Sequence, residues 1–156
     1  MLKLIGAIMI AGACSAMGIS MHRSLKARVF SLKEMITALQ IIKAEIVFRR
    51  SSIPDIIHLV VSQTEGGVKE WFSRLLEDME KGASFPTVCR KLLPVLSALS
   101  LSPSDIELIR QGFHILGKYD AGSQAEVLTG VLARVQGEWE QASVDALQKG
   151  KLYRAL

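Results

Sequence analysis

Neither end of this 156-residue chain carries an acidic residue: none precedes Glu34 and none follows Asp145. Cysteine is scarce. Cys14 lies in an uncharged run and Cys89 in a later apolar segment, which makes a disulfide between them improbable and a reduced compartment the simpler setting. Aromatic residues make up only 6% of the chain, and no stretch alternates apolar and polar residues as a half-buried strand does. The three histidines, His22, His58 and His114, have no Cys, Asp or Glu at metal-ligand spacing. Gly112 and Gly117 lack the lysine and the preceding strand of a phosphate-cradling loop. Glu77, Asp78 and Glu80 read as a solvated helix face, and Cys89 as a packed thiol. These absences leave no catalytic arrangement, and no metal, cofactor or small-molecule substrate is expected. The basic excess is modest, 19 Lys and Arg against 15 Asp and Glu, and much of it sits at the two ends. No nucleic-acid-binding surface is expected from that distribution.

What is present begins with the run from Leu4 to Met21, which holds no Lys, Arg, Asp or Glu. As a helix it would span roughly 27 Å, against roughly 30 Å for a bilayer's hydrocarbon core. Glycine, alanine and serine dilute its isoleucines and methionines, as is common where membrane helices pack on one another. The run predicts a single membrane anchor with a basic flank over residues 1–24, and a helical domain over 25–156. Two other readings stay open: a cleaved signal peptide, or a lipoprotein signal ending at Cys14, either of which would place the domain outside the cytoplasm. The continuation of apolar character through Ile19 and Met21 favours the uncleaved anchor. Arg23, Lys26 and Arg28 follow the run while only Lys3 precedes it, so the domain is expected on the cytoplasmic side, with these cations against anionic head groups.

Beyond the anchor the periodicity is helical throughout. Leu32, Met35, Leu39, Ile42 and Ile46 recur at three and four, which predicts a long amphipathic helix over 25–50, able to continue the anchor directly. A second helix is expected from Pro54 to Ser62, ended by Gly66-Gly67, and a third from Val68 to Lys81, closed by Gly82. A fourth would run from Pro86 to Leu93 and stop at Pro94. The fifth, capped by Ser102 or Ser104, carries Ile106, Ile109, Phe113 and Leu116 on one face. The last, over 123–149 and ended by Gly150, carries Leu128, Val131, Leu132, Val135 and Trp139. The expected fold class is all-α: a single N-terminal transmembrane helix followed by an antiparallel bundle of about six helices. Leu39, Ile42, Phe113, Leu132, Val135 and Trp139 are expected in its core. The first and last long helices match in length, so pairing them antiparallel would bring Lys149, Lys151 and Arg154 beside Arg23, Lys26 and Arg28 at the membrane surface.

The stretch from Asp105 to Asp120, DIELIRQGFHILGKYD, followed by Gln124, resembles a signature of the stage III sporulation protein AB family. The opening Met-Leu-Lys-Leu-Ile-Gly and the closing Lys149-Gly-Lys-Leu-Tyr-Arg154 are similar to that family's ends. The resemblance implies a subunit related to the cytoplasmic domain of type II secretion and type IV pilus platform proteins. Such a subunit acts in a channel or secretion-like complex between mother cell and forespore. Its implied partners are the membrane, the complex's cytoplasmic ATPase and its other membrane subunits. No enzymatic activity is implied. On the matched positions, Arg110, Gly112, Gly117, Lys118, Asp120 and Gln124 are candidates for a partner-contact surface, although Gly117 and Asp120 could equally serve only to shape a turn and cap the last helix. Family members are expected to carry a second membrane helix after the Lys-Leu-Tyr-Arg segment.

Overall fold

The first helix runs without interruption from the uncharged run into the domain. In the computed structural model, which describes residues 1–155, α1 spans Leu2–Ala44, roughly 65 Å at the usual rise. A π-helical turn, Glu45–Arg49, extends it, and Arg50 stops it in the left-handed conformation at φ 49°. The absence of Pro throughout α1 is what permits this length. Along its first half the apolar side chains find no partner in the chain: Leu4, Ile8 and Met17 are each 68–69% exposed. Along its second half the periodic positions Leu32, Met35, Leu39, Ile42 and Ile46 are all buried. α1 is the only helix among the described residues long and apolar enough to cross a membrane.

The remaining helices are α2 (Ile53–Gln63), α3 (Gly66–Glu80), α4 (Phe85–Leu92), α5 (Pro103–His114) and α6 (Ala121–Ala155), with no strand among the described residues. The all-α class and the bundle of six are therefore as the periodicity predicts. Ser52 caps α2 by accepting from the Asp55 backbone N–H. Ser102, not Ser104, caps α5, in a reciprocal box with Asp105. Gly82, at φ 101°, follows α3 as expected.

Three expected boundaries move. Gly66 and Gly67 open α3 instead of closing α2, because Thr64 already ends α2 by bonding its own hydroxyl to the Val60 carbonyl. Pro94 does not stop the chain from coiling: it sits in the first turn of a 3-10 segment, Leu93–Leu99, where its missing N–H is no loss. Gly150 does not end α6, which continues to Ala155 with Gly150 packed against His22.

α1 and α6 form the largest helix–helix interface and run antiparallel: Leu39 lies near the α5 position Gly112 beside Val131, Arg28 meets Glu138, and His22 meets Tyr153. α2 and α3 pack on α1, and α5 packs on α6. At their centre Trp71, Phe72, Phe85 and Phe113 form an aromatic cluster with ring centroids 5.0–6.1 Å apart. The Trp71 indole N–H donates to the Leu92 carbonyl at 2.9 Å, which satisfies the cluster's buried polar atom. Of the six side chains expected in the core, Leu39, Ile42, Phe113, Leu132 and Val135 are buried. Trp139 is the correction: it is only partly buried and its Nε1 has no hydrogen-bond partner.

Candidate functional site at the two ends of the bundle

At the end of the bundle next to the apolar run, α1 and α6 converge. The His22 and Tyr153 rings lie 6.0 Å apart, and the Tyr153 hydroxyl occupies the space that a Cβ on Gly18 would fill. Arg23, Lys26, Lys149, Lys151 and Arg154 are all exposed here. Both basic termini therefore gather at one end, as the matched helix lengths predict.

Arg28 departs from the expected role. It is not a free surface cation: its guanidinium donates to both Asp105 carboxylate oxygens, at 2.8 and 2.9 Å, and to Glu138 at 3.0 Å. Its side chain is 18% exposed and that of Asp105 is fully buried. Burial pushes Asp105 up, but the Arg28 hydrogen bond and the Ser102 backbone N–H outweigh it and hold the carboxyl below the usual range. The Asp105 hydrogen bond in turn raises Arg28 further, against its own desolvation. One carboxylate thus caps α5 and joins it to α1, while Glu138 adds α6. The capping pattern Ser102-x-x-Asp105 is legible in sequence; its third partner, 77 residues away, is not.

At the opposite end, Gly117 turns the chain at φ 79°, and its N–H donates to the Gln124 side-chain carbonyl at 3.3 Å. The Gln124 amide donates to the Tyr119 carbonyl. Asp120 caps α6 by accepting from the Ser123 hydroxyl and backbone N–H at 2.7 and 3.0 Å, which lower its pKa. Gly117, Asp120 and Gln124 therefore build the turn, and Lys118 and Tyr119 project from it. Arg110 is exposed and paired with Glu107. Gly112 is a second correction: it is buried, and a Cβ there would meet Val131 and Leu128 at 3.4 and 3.6 Å, so no partner can touch it.

The turn stands as a ridge between two depressions. On one side is a groove of about 390 Å³ floored by Ile42, Ile46, Ile56 and Leu116 and rimmed by Arg50 and Asp120. On the other is a cavity of about 110 Å³ where Arg90, Arg110, His114 and Lys118 surround Cys89 and Phe113. Burial pushes the Cys89 thiol up to about 12, far from the thiolate a nucleophile needs. Close by, the π-helical turn leaves Phe48 83% exposed, a feature that helical periodicity alone does not reveal. No three His, Cys, Asp or Glu side chains gather as a metal site would require among the described residues. These surfaces offer shape and charge for binding.

Comparison with known proteins agrees on one family. Residues 3–156 match the model of stage III sporulation protein AB. The chain is 25% identical to the stage III sporulation protein AB of Bacillus subtilis (strain 168) over 158 aligned positions, covering 100% of this chain and 92% of that relative. A solved structure of a stage III sporulation protein AB superposes with a TM-score of 0.67 at 21% identity, covering 78% of this chain and 97% of the other, a likeness of fold.

Proposed function

The chain belongs to the stage III sporulation protein AB family, and on that premise we propose that it is a non-enzymatic, membrane-anchored subunit of a sporulation complex joining mother cell and forespore. Residues up to about 24 are the anchor with its basic flank, and the rest is an arm that reaches into the cytoplasm of the mother cell. There it meets the complex's ATPase and its neighbouring membrane subunits. One observation carries the reading. α1 leaves the apolar run as an unbroken helix and α6 returns antiparallel to the same end, so the Gly117–Gln124 turn is held at the far end, away from the membrane. The exposed Lys118 and the flanking Arg110 and Asp120 present charge there for a partner.

The test is a charge reversal at the exposed Lys118, Lys118→Glu, in the full chain in sporulating cells. Loss of the ATPase from the purified complex and a drop in spore formation are expected, with the helical content unchanged. Normal assembly and normal sporulation would make the turn a structural element only. In the same strain background, a cysteine at position 118 should resist a membrane-impermeant thiol reagent in intact cells; ready labelling would reverse the orientation.

A further inference from the structure

We propose that the crevice between the inner end of the anchor and the last turns of α6 binds one anionic phospholipid. Its walls are Gly18, Met21 and His22 from α1 and Lys149, Leu152 and Tyr153 from α6, around about 510 Å³ of space. That volume falls within the range of small-molecule sites. The inference rests on the membrane-anchored reading, since the crevice follows the inner end of the uncharged run, from Cys14 to His22.

The two walls differ in chemistry in the manner of a lipid at the head-group level. Met21 and Leu152 continue into the apolar surface of the anchor, where a lipid's acyl chains already lie. Lys149 and the Tyr153 hydroxyl supply donors for a phosphate diester, which carries one negative charge and only accepts hydrogen bonds. Nothing among the described residues answers this charge. Lys149 forms no ion pair among the described residues, and Asp145, one turn earlier, is engaged by the Gln141 amide at 3.1 Å. Glu138, the next acid back along α6, is held by Arg28. His22 adds a second unmet group, an enclosed Nδ1 with no hydrogen-bond partner. A Cβ on Gly18 would fall on the Tyr153 hydroxyl, so any side chain there would displace the Tyr153 ring from the crevice wall. A cation set between helices at the head-group level, with apolar walls beside it, suits an acidic head group.

The test uses the full chain purified in mild detergent and native mass spectrometry with three probes: dioleoylphosphatidylglycerol, dioleoylphosphatidylcholine and inorganic phosphate. One phosphatidylglycerol per chain should survive activation that strips phosphatidylcholine. Lys149→Ala should weaken its retention about tenfold or more, as loss of a charge-assisted hydrogen bond does. Lys151→Ala, at the same end but outside the crevice, should change it by no more than about fivefold, the diffuse attraction of one surface cation. Equal losses in the two variants would show diffuse attraction and overturn the site. Equal retention of phosphatidylcholine would show acyl packing alone, and displacement by inorganic phosphate would show an anion site without lipid. Failure of the wild-type chain to remain with membranes after an alkaline carbonate wash would sink the anchored reading as well. An anchored chain that retains no phosphatidylglycerol would sink only the crevice.

Discussion

The aromatic centre and the α1–α6 neck are held together in opposite ways. Trp71, Phe72, Phe85 and Phe113 are buried to 5% exposure or less and are joined by ring contacts and area removed from water. The neck, from Arg28 to Tyr153, has small residues, two carboxylates ion-paired with Arg28, an unpartnered imidazole nitrogen and a surplus of cations. The first region is complete within the chain. The second leaves the His22 Nδ1 and its exposed cations without partners among the described residues, beside the apolar run of α1. A chain built this way keeps its rigidity at the centre and leaves its exposed charge at the two ends.

The comparison breaks most readily at the centre. Phe72 is fully buried, and Phe72→Ala should cost about 3–5 kcal/mol in denaturant unfolding of the full chain in detergent. A loss below about 1 kcal/mol would mean that the cluster does not hold the bundle.

A smaller effect is expected in the neck. Asp105→Asn removes the charge opposite Arg28 while Glu138 remains, and should cost about 3 kcal/mol, the low end for breaking a buried pair. Its pH dependence sharpens the contrast. Asp105 titrates lower in the folded chain than in the unfolded one, where a carboxyl sits near about 3.9. Its contribution is therefore fully present above that value and is lost as pH falls from there through the folded pKa. The gap between wild type and variant should be flat at neutral pH and close on acidification below about 4. A gap that does not change with pH would assign the loss to capping geometry alone. The Phe72→Ala gap should show no such dependence.

The smallest effect has the opposite sign. A Cβ on Gly137, in the exposed face of α6, meets nothing within 4 Å. Gly137→Ala should stabilise the chain by up to about 1 kcal/mol, the helix-propensity difference. Destabilisation would show that a partner or a second helix packs closely on that face.

The helices and their buried faces are legible in the order of the residues. A period of three to four needs only neighbouring residues, and the stripes of α1, α5 and α6 mark buried positions with little error. Trp139 strayed because its large ring is only partly covered by the neighbouring helix, although Ala142, three residues on, is fully buried; a periodic pattern cannot show how far a side chain is covered. The basic ends and the uncharged run were equally legible, because charge and hydropathy are properties of composition. Tertiary structure alone decided which cations are spent inside the protein. Arg28 and Arg23 look alike in sequence, yet only Arg28 meets a carboxylate from another helix. It also decided that Gly112 is interior while Lys118, six residues on, is exposed, and that Gly150 stays helical because α1 lies against it. Each of these depends on which helix packs where. Such long-range pairings are selected by the sum of many burials, not by any local pattern.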